Sequence, residues 1–398
     1  MTTSARPSVL VLGAHGKAAL PVIESSHAHG RHVIAAGPKR FCCCFYSRCV
    51  NERLIYPSAE FEPEACKEFL LSYVARRHVD TLFPVGDSAT ELIARHQDEF
   101  RRYTHLALPP YEIFRGGRDK ILTLQAASRA GVAIPSTWYP LEQPLAEIAR
   151  EAPYPCLVKP AISAGARGIT VVRSPAELPG AFETIAARFG RAFVQDFVPQ
   201  TGMQCKADLV MGRDGKVLAG VAYEKLRYYP PGGGSSTCNR TARRPDIVDA
   251  AARVARELGW LGFCDFDFIT DPRDGVVRLM EINPRFPECY RATVAAGLDM
   301  TEPVYQLAHG ADPAPQEACR EGRLVRFLPG DLLWLLTSPD RFKDLGSFLD
   351  FWSANVSYQL TSARDPGPIM GYMLENLMIL FDREARQSRF RLKQALRR

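Results

Sequence analysis

The chain has 398 residues, 46% apolar and 24% charged, with a formal net charge of +6. Such a length holds two or three domains with cores of their own, and the composition excludes a disordered or fibrous protein. No apolar run approaches the ~18 residues that cross a bilayer, and the N-terminal stretch MTTSARPSVLVLG lacks a signal-peptide layout, so the expectation is a cytoplasmic protein with no membrane partner.

Residues 8–12 are an apolar strand, followed by the turn Gly13-Ala14-His15-Gly16, a helical pattern to about residue 29 and a second strand at 32–36. This is a βαβ opening. It is not a full dinucleotide fingerprint, because the third glycine is missing and Gly37-Pro38-Lys39 follows where an acid would hold a ribose. The chain has eleven cysteines, an odd number without a C-x-x-C, which argues against a disulfide framework and a zinc site; Cys42-Cys43-Cys44 reads as small buried apolar residues. A helix at 65–77, a strand at 81–85, a helix at 87–100 and a strand at 105–108 complete a doubly wound α/β domain over residues 1–112. Asp87 follows the strand end Phe83-Pro84-Val85-Gly86, at the edge of a parallel sheet where small ligands bind.

Arg118-Asp119-Lys120 opens a helix that ends near Gly131. Leu157-Val158-Lys159-Pro160 is a short strand bearing a lysine; it enters the small-residue loop 161–168, with Ser163, Gly165 and Gly168, and then the strand 169–172. Small residues let backbone amides close over phosphates, and the lysine adds charge. No Gly-Lys-Ser/Thr precedes a helix, so this is not a Walker loop. Residues 192–198 (AFVQDFV) form another strand. A strand ends at Tyr223-Glu224-Lys225-Leu226-Arg227, and the Gly- and Pro-rich stretch 228–238 has the composition of a mobile loop. A helix follows at 246–258.

Residues 263–288 (FCDFDFITDPRDGVVRLMEINPRFPE) read as a β-hairpin: two apolar runs joined by Asp271-Pro272-Arg273-Asp274-Gly275. The fold-back brings Asp267 of the first strand beside Glu281 and Asn283 of the second, with Arg285 next to them; Asp265, on the same face as Asp267, is a second candidate. Glu281 stands among apolar residues, where an acid needs a partner. Hard oxygen donors of this kind suit Mg²⁺. Beyond residue 310, Asp312-Pro313-Ala314-Pro315 is linker-like, 324–328 is a candidate edge strand, and 331–336, 348–351 and 370–381 read as helices. The basic tail, with only Phe390 as an aromatic, reads as a solvated helix end and offers no nucleic-acid surface.

Glu281-Ile282-Asn283-Pro284-Arg285 resembles the E-x-N-P-R signature of the ATP-grasp superfamily, and the other motifs stand in that family's order over roughly residues 8–310. The nearest likeness is to the carboxylate–amine ligases and the carbamoyl-phosphate-synthetase-like branch. The resemblance implies a mixed α/β and α+β chain: a Rossmann-like pre-ATP domain (1–112), an ATP-grasp domain (113–310, with a lid at about 135–198) and a helical extension (311–398). It implies Lys120 and Lys159 as nucleotide lysines and Ser163, Gly165 and Gly168 in the phosphate loop. Gln195, Asp196, Phe197 and Val198 would line the adenine, and Gln204 stands where relatives carry a ribose-binding Glu. Asp267, Glu281 and Asn283 become the metal ligands; Arg285 contacts the reacting group, and Lys225 and Arg227 face the acyl phosphate. The cofactors implied are ATP and Mg²⁺, with Mn²⁺ as a substitute. The activity implied is ligation of a small carboxylic acid to an amine or amino acid through an acyl phosphate, in a chain that could pair as a homodimer. A kinase or carboxylase on the same scaffold, and an ATP-binding regulator without turnover, are the alternatives.

Overall fold

The computed structural model describes residues 6–163, 167–231, 234–317, 320–342, 345–360, 362 and 364–381. Its strands form three sheets. The first contains β1 (Ser8–Val11), β2 (His32–Gly37), β3 (Glu52–Ile55) and β4 (Thr81–Phe83), all parallel in the order β3-β2-β1-β4. Both faces of β1 are covered, which explains its unbroken apolar run. Leu10 and Leu12 pack with Leu70 and Val74 of the helix Pro63–Arg77, while Val9 and Val11 pack with Ala19, Val22 and Ile23 of the helix Ala19–Ala28. Gly13 turns the chain after β1 at φ +75°, and a Cβ there would lie 2.1 Å from the Val85 carbonyl oxygen, so both conformation and space demand glycine.

A second four-stranded sheet holds β5 (Thr137–Trp138), β6 (Cys156–Pro160), β7 (Thr170–Val172) and β8 (Ala192–Asp196), in the order β5-β8-β6-β7. The helix Leu178–Phe189 covers it, and Cys156, Val158, Val172, Leu178, Ile185 and Val194 form a core separate from the rest of the chain. The third sheet is the largest. It contains β9 (Gln204–Met211), β10 (Val217–Tyr229), β11 (Ser235–Ala242), β12 (Gly262–Thr270), β13 (Val277–Asn283), β14 (Leu324–Arg326) and β15 (Val356–Tyr358), in the order β13-β12-β9-β10-β11-β14-β15. Cys205, Ala207, Leu209, Cys264, Phe266 and Phe268 give it an apolar face, packed in one core with the helices Lys120–Arg129 and Pro245–Leu258. Period-two alternation puts the charged residues of β9 and β12 together on the other face.

Several expectations change. The stretch 228–238 is no free loop: β10 runs on to Tyr229, β11 starts at Ser235, and Tyr228 pairs with Ser236; Gly232 and Gly233 lie outside the described residues. Residues 105–108 contribute one bridge, Thr81 to His105, instead of a strand. The helix expected at 87–100 breaks at His96 into Asp87–Arg95 and Gln97–Phe100. Asp119 separates two helices, with its Oδ1 accepting from Ile121 N at 2.9 Å as a cap. In the C-terminal extension the expected strand at 324–328 is present as β14, but β15 pairs beyond it and takes the edge, and the last helix, Gly367–Phe381, packs on the one-turn segment Cys43–Tyr46. The three neighbouring thiols are buried; Cys43 and Cys44 sit against the carbonyls of Ala14 and Gly16, and burial pushes the Cys42 thiol up to about 12, which keeps it protonated. No helix among the described residues is long and apolar enough to cross a membrane.

Candidate active site

The hairpin β12–β13 pairs Asp265 with Asn283 and Asp267 with Glu281, so one face carries all four. A bulge after Asp267 leaves Met280 of β13 unmatched, since Phe268 then pairs with Leu279. On the other side of β12, strand β9 sets Asp208 opposite Asp265 and Lys206 opposite Asp267. Strand β10 continues the row, with Tyr223 opposite Lys206 and Lys225 opposite Gln204. The result is a grid of charges on one sheet face, and its spacing is fixed by backbone register.

Its bonds are short. Lys206 Nζ lies 2.6 Å from Asp265 Oδ2 and 2.7 Å from Asp267 Oδ2. Asn283 Nδ2 donates to the same two oxygens at 3.0 and 2.9 Å. Lys225 Nζ lies 2.5 Å from Asp267 Oδ1. Burial opposes the charge on the Asp267 carboxyl, but Lys206 and Lys225 outweigh it and hold this group below the ordinary carboxylate range. Burial likewise disfavours the Lys206 ammonium, and Asp265 and Asp267 more than offset this, raising it well above the usual lysine range. Asp208 moves the other way: burial, then the charge of Asp265, push its carboxyl well up. Its oxygens accept from Tyr223 Oη at 3.1 Å and from Thr293 Oγ1.

The second sheet and the helix start at Lys120 approach this face. Lys120 Nζ lies 3.2 Å from Glu281 Oε2 and donates to the Ser163 carbonyl at 3.1 Å. Arg118 Nη1 donates to the same carbonyl at 3.1 Å. Lys159 is buried and donates to Gln195 Oε1 at 2.7 Å; burial pulls its ammonium down to about 8, against the charge of Glu281. Gln195 uses its side chain in this way and also donates from Nε2 to Thr137 Oγ1 at 3.0 Å. Asp196 is tied to the hairpin turn through Arg273, whose Nη2 is 2.5 Å from Asp196 Oδ2 and 2.6 Å from Asp271 Oδ2. Val198 is buried and Phe197 partly so, and Gln204 Nε2 donates to Gln200 Oε1 at 2.9 Å just beyond them. Gly168 adopts φ +77°, and a Cβ there would lie 2.6 Å from the Phe189 ring; Gly165 lies outside the described residues.

Arg285 points to the first domain, donating to Asp87 at 2.7 and 3.2 Å. The pair borders a cavity of about 1070 Å³ lined also by His15, Tyr56, Arg118 and Ser163. Arg227 is not brought to this site. It is fully buried under the C-terminal extension, with Nε and Nη2 each 2.8 Å from an Asp331 oxygen and Arg326 Nε 2.8 Å from the same carboxylate. A bulge between Lys225 and Tyr228 sends it there, away from the Lys225 side. Lys206 and Asp208, central to the grid, were not among the residues expected at the site. The signal for them was the alternation Gln204-Cys205-Lys206-Ala207-Asp208 entering an apolar run.

The donor set divides when tested against a divalent cation. The Glu281 carboxylate is partly open to solvent, and the Asn283 amide oxygen is not used in the bonds to Asp265 and Asp267. These two fit a hard cation that completes its shell with phosphates and water. Asp267 is different, because both of its oxygens already face ammonium groups.

Residues 118–288 match the family model described as an ATP-grasp domain. The chain is 27% identical over 195 residues to the formate-dependent phosphoribosylglycinamide formyltransferase of Ignicoccus hospitalis, covering 46% of this chain and 48% of that protein. It is 25% identical over 289 residues to the D-aspartate ligase of Enterococcus faecium, covering 65% of this chain and 66% of that one. The chain thus spans about half to two thirds of these relatives. The biotin carboxylase domain dimer of Hydrogenobacter thermophilus 2-oxoglutarate carboxylase, solved with MgADP, ADP and bicarbonate, superposes with a TM-score of 0.63 at 18% identity, covering 81% of this chain and 74% of that one. Residues 118–288 thus carry an ATP-grasp domain, in a chain whose fold is shared with the ATP-grasp part of biotin carboxylases.

Proposed function

We propose that the chain is an ATP-dependent ligase that couples a small carboxylic acid to an amine or amino acid. The substrate carboxylate would attack the γ-phosphorus of ATP, forming an acyl phosphate and releasing ADP; the amine would then attack the acyl carbon, expelling phosphate and leaving an amide. The observation that carries this reading is the convergence of Lys120, at the start of the helix Lys120–Arg129, and Glu281 of the hairpin, 3.2 Å apart, near buried Lys159 of the second sheet. Two lysines facing one acid suit a polyphosphate that brings its own cation.

Each residue then has a definable task. Lys159 and Lys120 bind phosphate oxygens and offset the charge that builds during transfer. Glu281 and Asn283 would hold Mg²⁺, which when bound would neutralise the phosphates and orient the γ-phosphoryl group. Arg285, oriented by Asp87, presents its guanidinium at the cavity where the acid would bind, and forked geometry favours a carboxylate or acyl phosphate. The hinge residues 195–198 and Gln204 would take adenine and ribose; a Gln can hydrogen-bond a ribose hydroxyl without charge. Closure of the lid would exclude the water that hydrolyses an acyl phosphate.

A screen for ADP release over carboxylic acids, with and without amino acids, tests the proposal. ADP formation that needs both an acid and an amine supports it. ADP formation with bicarbonate alone points to carboxylase chemistry, and ATP binding without ADP release under any mixture points to the regulator.

A further inference from the structure

Lys206, on the strand next to β12, carries a charge that opposes the role the hairpin acids are expected to play, as does Lys225 one strand further on. Its placement follows from strand register: β9 sets it opposite Asp267 and two residue pairs from Asp265, on the same sheet face. It is buried, and its Nζ lies within 2.7 Å of an oxygen of each acid. Each of those two oxygens also accepts from Asn283 Nδ2. A carboxylate oxygen has two lone-pair sites, so both are filled. The remaining Asp267 oxygen faces Lys225, while the remaining Asp265 oxygen is buried without a hydrogen-bond donor among the described residues. Two carboxylates therefore meet two ammonium groups, and the pair of acids has no excess negative charge to attract a further cation.

We propose that the Lys206 ammonium is a built-in cation between Asp265 and Asp267, so that the chain takes one divalent ion with its nucleotide, on the Glu281–Asn283 side, and none on the Asp265–Asp267 side. Displacing Lys206 from Asp265 and Asp267 would leave a buried ammonium without the two acids that pair it, a costly arrangement. Mg²⁺ also demands near-octahedral oxygen ligands at about 2.0–2.1 Å. Oxygens already bonded to Lys206 and Asn283 cannot offer that geometry without breaking both contacts. The role is positional too. The ammonium joins the two acids, and Asn283 Nδ2 donates to the same two oxygens, which leaves the amide oxygen of Asn283 outside those bonds. The one-ion count rests on the nucleotide-binding reading above; the exclusion of a cation from Asp265–Asp267 does not.

Electron paramagnetic resonance of Mn²⁺ tests both parts. In titrations without nucleotide, Lys206→Met should bind Mn²⁺ at least about tenfold more tightly than the wild type, and adding Asp265→Asn to that variant should abolish the gain. With a saturating non-hydrolysable ATP analogue, the wild type should hold one Mn²⁺ per bound nucleotide and Lys206→Met two. Two ions per nucleotide in the wild type overturn the proposal without any variant, so it stays testable if Lys206→Met fails to fold. A folded Lys206→Met variant with wild-type Mn²⁺ affinity overturns it equally. Nucleotide binding is followed separately with a fluorescent analogue. Its absence would sink the ligase reading, while the titrations without nucleotide would still decide the role of Lys206.

Discussion

Lys159 offers a prediction that joins burial to ligand affinity. Its ammonium is pulled from the usual 10.5 down to about 8 because the side chain is buried, with the charge of Glu281 only partly compensating. A shift of that size means the charged form is disfavoured by roughly 3 kcal/mol in the free protein. Bound ATP phosphates would reverse the balance, since they stabilise the charge. ATP affinity should therefore be flat below pH 8 and fall about tenfold per unit above it, as the free protein loses the proton that binding must restore. Folding stability should run the opposite way. The unfolded chain binds the proton up to its ordinary lysine pKa, so between about 8 and 10.5 the unfolded state is the more protonated, and this group's contribution to stability rises with pH. Lys159→Met should weaken ATP about 10–100-fold at pH 7, the value of one charge-assisted hydrogen bond, and should remove the pH dependence. Calorimetric titration of ATP at pH 7, 8, 9 and 9.5 reads all of this. A flat wild-type profile, or a Lys159→Met variant that keeps the slope, would refute the argument.

Other outcomes follow from the same geometry. Glu281→Gln with Asn283→Ala should reduce ADP release at least about 10²–10³-fold while leaving the melting temperature within a few degrees, because these side chains border an open site; unchanged turnover would remove them from the site. Asp331→Ala deletes the carboxylate shared by Arg227 and Arg326, and chemical denaturation should register a loss of about 3–5 kcal/mol. Little change there would mean that this buried cluster does not hold the C-terminal extension. Hydrogen exchange should find the amides of β11, Ser235–Ala242, protected before any ligand is added, whereas Gly168 and Ile169 should gain protection when ATP arrives. Free exchange along β11 would restore the mobile loop suggested by its composition.

Much of this site could be read in the chain because its parts are local. The hairpin carries its own turn, Asp271 to Gly275, and period-two alternation puts Asp267 and Glu281 on one face without help from elsewhere. Lys120 and Lys159 stand at a helix start and in a strand with recognisable neighbours. What escaped depends on distant partners. Arg227 looks like a site residue by its nearness to Lys225, and only Asp331, 104 residues on, reveals a buried ion pair. Lys206 was hidden for a similar reason: its role comes from pairing with Asp265 and Asp267, about sixty residues later, and a lone lysine in a strand has no such signature. The stretch 228–238 shows composition losing to pairing, since Tyr228 and Tyr229 pair with Ser236 and Ser235 across two long strands.

The measurement closest to the central claim is capture of the intermediate. Enzyme, ATP, Mg²⁺ and the acid that releases ADP are incubated with hydroxylamine and no amine. Attack of hydroxylamine on an acyl phosphate gives a hydroxamate and phosphate, with one ADP formed for each hydroxamate, and Arg285→Met should lose both together. ADP formed without hydroxamate, alongside phosphate transferred to a hydroxyl of the substrate, would contradict the ligase account and make the enzyme a kinase.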